Sequence, residues 1–152
     1  MILQTINGKI NIMVDTVSKE KRSEIMSKVK GRNTKPELFV RKLLHTLGFK
    51  RYTLHPKDLP GIPDIVFMSK KKAIFINGCF WHHHSKCKSA TIPKSNIEFW
   101  TKKIQNNAKR DKENKLKLTH LSFKQLVIWE CELKNQSKVI KKLEKFLEVN
   151  ER

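Results

Sequence analysis

The sequence predicts a mixed α/β domain with helices packed on one central sheet. Three observations carry that expectation. Apolar residues recur at helical spacing over Leu38–Leu47 and again over Val139–Leu147. Short apolar runs at Asp64–Met68, Ala73–Ile76 and Phe123–Trp129 lie between them and read as strands. The chain has 152 residues, 38% of them hydrophobic, which is enough for one core and too few for two ordinary domains.

The elements follow in order. Met1–Val17 has no clear periodicity and few charges, so residues 1–13 are expected to be a disordered extension, with Met13-Val14-Asp15 as an alternative start. Residues 14–152 then form a single domain. Ser18–Val29 reads as a short helix capped by Ser18 and broken by Gly31-Arg32-Asn33. Thr34-Lys35-Pro36-Glu37 opens the next helix, with Thr as N-cap, Pro in the first turn and Glu at the third position. Leu38, Val40, Leu43, Leu44 and Leu47 give it an apolar face, and Gly48 stops it.

Lys50–Leu54 reads as a strand and His55–Pro63 as a Pro/Gly-rich loop. Asp64–Met68 and Ala73–Ile76 form a hairpin with Asp64 at the head of one arm. Asn77–Pro93 is a long loop with too little apolar content to fold unaided. Ser95-Asn96-Ile97-Glu98 is a second capping box, opening a long helix to about Lys117 with Ile97, Trp100, Ile104 and Ala108 on one face. A strand over Phe123–Trp129 and a helix over Lys138–Val149 complete the chain.

Charge points to the partner. Lys and Arg number 33 against 14 acids, a net charge of +19. Self-repulsion of that size suits a protein whose partner is a polyanion, and nucleic acid is the first choice. No apolar run approaches a bilayer span, and the N-terminus does not read as a signal peptide. Three cysteines without a secretion signal fit a reducing compartment.

The densest chemistry is Gly78-Cys79-Phe80-Trp81-His82-His83-His84-Ser85-Lys86-Cys87. Cys79, His84, Cys87 and the distant Cys131 make three thiolates and an imidazole, a closed zinc set of the structural kind. By spacing alone His82 and His83 compete with His84. Phe80-Trp81, held between ligands and unable to bury as a strand would, reads as a rigid wedge for opening base steps, with Met26 as its companion. Asp64 is placed as a carboxylate for Mg²⁺ near a phosphate, although Pro-Asp is also common in turns. His82 or His83 can deprotonate a water, with Asp111 on the long helix to orient it. Glu37 is explained by capping, or else it faces the site and holds water around the metal.

These residues sit in an ordered set of motifs. They are Arg22-Ser23-x-x-Met26, Asn33-Thr34-Lys35-Pro36-Glu37, Leu59-Pro60-Gly61-x-Pro63-Asp64-Ile65-Val66 and Asn77-Gly78-Cys79-Phe80-Trp81-His82. Phe99-Trp100, Lys103-Ile104-x-x-Asn107, Arg110-Asp111 and Val127-x-Trp129-Glu130-Cys131 follow. The set resembles the very-short-patch-repair (Vsr) DNA mismatch endonuclease family from about Val14 to the last helix.

The resemblance implies a restriction-endonuclease-like core: a central mixed sheet flanked by helices, with a structural zinc site. It implies Mg²⁺-dependent nicking of one DNA strand 5′ to the T of a T·G mismatch left by 5-methylcytosine deamination. It also implies a monomer acting on double-stranded DNA in the bacterial cytoplasm, at the nucleoid, with the mismatch-repair protein MutL and DNA polymerase I as partners. By matching position, Asp64 and the Ile76 backbone carbonyl hold Mg²⁺, His82 is the general base, Asp111 orients it, and Glu37 supports the metal's water shell. The zinc ligands are Cys79, His84, Cys87 and Cys131. Met26, Phe80 and Trp81 enter the DNA, and Asn77, Trp100, Lys103 and Asn107 contact it.

Two positions depart from the family pattern. Asn77 stands where a histidine implicated in catalysis occurs, so it is left contact with a phosphate or leaving group rather than proton transfer. The stretch between His84 and Cys87 is one residue longer than a familiar version. The alternatives are a related restriction-system nuclease of the same fold and a non-catalytic, zinc-stapled DNA-binding module.

Overall fold

The computed structural model describes residues 2–6, 9–13, 24, 31–85, 87–93 and 96–148. The helix expected over 18–29, and Met26 with it, lies outside the described residues apart from Glu24. A four-stranded sheet runs in the order β3 (Thr53–Leu54), β4 (Ile65–Phe67), β5 (Lys72–Asn77), β6 (Lys124–Trp129). β3–β4 and β4–β5 are antiparallel; β5–β6 is parallel, with Asn77 opposite Trp129 at the end of the ladder. A parallel pair needs a long crossover. Here the crossover contains α2 (Ile97–His120).

Two apolar layers sandwich this sheet. On one face α1 (Lys35–Thr46) and α3 (Gln136–Glu148) bury Val40, Leu43, Leu44, Val139, Leu143 and Leu147 against Ile65, Phe67, Ile74 and Ile128. On the other, Leu118 of α2 packs with Leu59, Val66, Ala73 and Phe123. All three residues of β4 are buried, as a strand covered on both faces requires. Leu44 and Leu143 are fully buried, each contributing roughly 2–3 kcal/mol by removal from water.

Local signals explain most boundaries. Thr34 caps α1 by accepting from Glu37 N at 3.3 Å, and Pro36 sits in the first turn. Leu38, expected on the apolar face, is instead exposed: the core lies under Val40, Leu43 and Leu44, and Leu38 points off that stripe. The expected box at Ser95–Glu98 also differs. Asn96 is the N-cap, in the left-handed region at φ 57°, with no side-chain capping bond, and Ser95 lies outside the described residues. Along α2, Trp100 and Ile104 are buried as expected, while Ile97 and Ala108 are exposed. Ala108 faces a cavity rather than the core.

Ahead of this sheet, β1 (Ile2–Ile6) and β2 (Lys9–Met13) pair antiparallel, Ile2 opposite Met13 and Ile6 opposite Lys9, in a separate two-stranded sheet. The sequence reading expected a disordered extension there. The overlooked signal is Asn7-Gly8, the dipeptide most favoured between hairpin strands.

Candidate active site and metal centre

Asp64 stands at the head of β4. The β4–β5 ladder ends at Ile65 opposite Ile74, so the next N–H on β5, that of Ile76, needs another acceptor. The Asp64 carboxylate supplies it, with Oδ2 accepting from Ile76 N at 2.7 Å. This bond fixes the side chain beside β5. Burial pushes the Asp64 carboxyl above its ordinary value; the Ile76 N–H counters this, and the Glu37 charge adds to the rise.

Glu37 lies next to it, 1% exposed. Its Oε2 accepts from Asn33 N at 2.7 Å and its Oε1 from Arg41 Nη1 at 3.4 Å. Oε1 also lies 3.0 Å from His55 Nε2. His55 Nδ1 faces Asp64 Oδ1 at 3.9 Å, and His55 N donates to Asp64 O at 3.3 Å. His55 adopts φ 46°, a left-handed conformation that costs a non-glycine residue of order 1 kcal/mol or more. Glu37, His55 and Asp64 offer donor atoms all within 4.8 Å of one another and can hold a metal ion.

The cavity beside Asp64 measures about 810 Å³ and is also lined by Asn77, His82, Asp111, Arg32 and Arg110. His82 sits in a tightly turned loop: His82 N bonds Gly78 O, His83 N bonds Phe80 O, and His84 N bonds Cys79 O. Its Nδ1 lies 2.5 Å from Asp111 Oδ2 on α2. Among the described residues Nε2 has no hydrogen-bond partner. Gly61 brings its own loop onto the same helix. It has φ +76°, and an added Cβ would lie 3.1 Å from the Asn114 side chain, so only glycine fits without strain.

The same loop carries the second cluster. Cys79, His84, Cys87 and Cys131 offer donors within 4.8 Å of one another. His84 Nδ1 lies 3.7 Å from Cys79 Sγ and 3.3 Å from Cys131 Sγ. Tetrahedral zinc with ordinary Zn–S and Zn–N bonds separates such a pair by about 3.5 Å, so the donor set fits that ion. His84 is the histidine brought to the thiols. Its ring stacks on Trp129, with centroids 4.2 Å apart and planes 4° from parallel. Burial pushes the Cys79 thiol up to about 12. The backbone N–H of Ser89 draws the Cys87 thiol down.

The turn bearing Cys131, a 3-10 segment over Glu130–Lys134, is tied back by Glu132, which accepts from Trp129 N at 2.9 Å and Lys142 Nζ at 2.8 Å. Burial alone would raise the Glu132 carboxyl, but Lys142 and the Trp129 N–H outweigh it and hold it below its ordinary value.

Phe80 and Trp81 are half-buried, not freely exposed. Both pack against Trp100, at 5.2 and 6.1 Å between centroids, and Phe99 meets Trp100 at 5.1 Å. Trp100, expected to contact DNA, is 3% exposed and forms the floor of this aromatic cluster. Lys103 Nζ lies 5.6 Å over both the Trp81 and Phe99 rings. Asn107 Nδ2 donates to Trp81 O at 2.9 Å, pinning the loop to α2. Sequence reasoning missed His55, and only its place in the Pro/Gly-rich loop before Asp64 hinted at a role.

Comparison with known proteins bears on these groupings. A family profile described as DNA mismatch endonuclease Vsr matches residues 14–88. The type II nicking enzyme V.NmeAIP of Neisseria meningitidis is 47% identical over 125 residues, spanning 82% of this chain and 88% of that protein. V.XorIIP of Xanthomonas oryzae pv. oryzae, also a type II nicking enzyme, is 45% identical over 121 residues, 80% of this chain and 88% of its own. The DNA mismatch endonuclease Vsr of Escherichia coli is 35% identical over 127 residues, 84% of this chain and 80% of its own. No helix among the described residues is long and apolar enough to cross a membrane.

Proposed function

The chain belongs to the Vsr family of DNA mismatch endonucleases, and on that premise we propose that it nicks one strand of duplex DNA 5′ to the T of a T·G mismatch, in very short patch repair. The observation that carries this reading is the meeting of Asp64 with the His82–Asp111 pair in one basic-lined cavity.

We assign the catalytic Mg²⁺ to Asp64 and the Ile76 backbone carbonyl, hard oxygen donors of the type that ion prefers. Bound there, Mg²⁺ supplies positive charge against the charge that builds on the scissile phosphate. The contact between His82 and Asp111 supports the steps assigned to the protein's own residues. Asp111 holds the Nδ1 side of His82, which leaves Nε2 to accept a proton from water. The hydroxide forms its bond to phosphorus as the bond to the bridging oxygen breaks, and that oxygen leaves with a proton from solvent. Glu37 acts behind this centre, and Asn77 contacts a phosphate oxygen or the leaving group.

Zn²⁺ on Cys79, His84, Cys87 and Cys131 is structural, because four protein donors leave no position for substrate. Phe80 and Trp81 wedge the base stack on a floor of Trp100, with Lys103 and Asn107 fixing the loop; Met26 joins them. Unstacking costs a few kcal/mol per step, and a mispaired T costs less to open than a paired one. We place the protein as a monomer in the bacterial cytoplasm at the nucleoid, with residues 14–152 as its single endonuclease domain. MutL and DNA polymerase I are its partners by analogy.

The higher identity to type II nicking enzymes favours a second reading, in which the same chemistry serves beside a restriction system. The two differ in the flanking sequence recognised. The base assignment is tested by nicking rates on a T·G duplex. His82→Ala is expected to lose about 10²–10⁴-fold and Asp111→Asn less, both with unchanged duplex affinity. Wild-type rates in His82→Ala end the assignment.

A further inference from the structure

The Glu37–His55–Asp64 cluster contains an imidazole that the proposed mechanism does not use. The Nε2 side of His55 lies 3.0 Å from Oε1 of a carboxylate that is itself buried and anchored through Asn33 N and Arg41. A carboxylate accepts only, so Nε2 carries a proton, and in the neutral ring Nδ1 carries the lone pair. Among the described residues no hydrogen bond occupies Nδ1. It faces Asp64 Oδ1 at 3.9 Å, which is too long for a hydrogen bond. Two ligands of one divalent ion at ordinary bond lengths stand about 3.0 Å apart when adjacent and about 4.3 Å when opposite; 3.9 Å lies inside that span, so one ion can reach both atoms. A histidine whose second nitrogen donates to a carboxylate is the arrangement metal sites use to fix the tautomer and raise ligand basicity.

We infer that His55 Nδ1 is a ligand of the divalent cation held by Asp64, giving that ion a mixed nitrogen–oxygen donor set. The inference rests on Asp64 as the cation carboxylate. Glu37 then acts as the positioning residue behind His55. An imidazole donor favours transition-metal ions over Mg²⁺, so this centre takes Mn²⁺ the more tightly of the two.

The test is Mn²⁺ binding to the zinc-loaded protein, with and without a T·G duplex, followed by electron spin resonance with echo-modulation detection of nitrogen. The expected result is an imidazole-nitrogen coupling on bound Mn²⁺, altered by ¹⁵N-histidine labelling. It should be absent in His55→Gln and kept in His82→Asn. His55→Gln should weaken Mn²⁺ about 10–100-fold while Mg²⁺ weakens less. The labelled wild-type protein gives the answer even if His55→Gln folds poorly. Mn²⁺ that binds through Asp64 without nitrogen coupling overturns the His55 assignment and leaves Asp64 standing. Mn²⁺ whose binding is unchanged in Asp64→Ala overturns both.

Discussion

Two metal-capable clusters flank the end of β5, and they are built in opposite ways. The Cys79/His84/Cys87/Cys131 group uses soft donors, three of them from one loop and the fourth from the turn after β6. It closes on itself and stacks on Trp129. The Glu37/His55/Asp64 group uses hard oxygens and one imidazole, drawn from a helix, a loop and a strand head, and it opens onto the cavity that also holds His82. A closed set of donors has coordination to give only to the fold. An open one has positions left for water and phosphate. Loop 78–87 links the two regions, because His82 lines the cavity beside Asp64 while His84, two residues on, reaches the thiols.

The strongest way to break this contrast is Asp64→Ala. It should lower nicking about 10³-fold or more, since a cation on the reacting phosphate is worth several kcal/mol, while DNA binding and zinc content stay as in wild type. Asp64→Asn sharpens the point through pH. The Asp64 carboxyl is raised by folding, so its ionised form costs stability above the folded value. That cost should disappear as pH falls through the folded value toward the unfolded one. Metal-free wild type should therefore gain thermal stability across that window relative to Asp64→Asn, whose own stability at neutral pH should exceed that of wild type. Calorimetry across pH checks the sign.

Cys131→Ser attacks the other cluster. We expect loss of bound zinc and a Tm lower by about 10 °C, for a change of several kcal/mol in a chain of this size. Nicking should fail through misplacement of His82. Bound zinc measured by atomic absorption at one per chain in this variant would contradict the ligand set.

Much of this pairing is readable in the sequence. The Cys/His donors declare themselves because three lie within ten residues and their chemistry is unusual. Thr34 and Glu37 mark a helix start because capping is local. The hairpin at Asp64 is local too. His55 was not readable, because Glu37 lies 18 residues before it and the two meet only when α1 packs on the sheet. The burial of Trp100 beneath Phe80 and Trp81 also depends on how α2 docks against the loop. The exposure of Leu38 and Ile97 shows that helical spacing names a face without saying where the core ends.

Smaller effects refine the picture. Trp81→Ala should weaken discrimination between T·G and paired duplex by about 10–100-fold, from stacking worth roughly 1–3 kcal/mol, and lower Tm by a few degrees because Trp81 packs on Phe80 and Trp100. Equal discrimination by mutant and wild type in competition assays would remove the wedge. Glu132→Gln should cost about 1 kcal/mol of stability at neutral pH. Because folding lowers the Glu132 carboxyl, its contribution is present above the unfolded value and lost as pH falls through the folded one. Denaturant titrations of the two proteins should therefore converge in acid.

The central claim, a mismatch-directed nick made by the Asp64 and His82–Asp111 centre, is tested most directly by mapping the cut. An end-labelled duplex carrying one T·G pair, incubated with Mg²⁺ and resolved at single-nucleotide resolution, should show one break immediately 5′ to the mispaired T. EDTA or a T·A pair should remove it. Breaks of equal strength in paired and mispaired duplexes, or a break that persists in Asp64→Ala, would contradict the account.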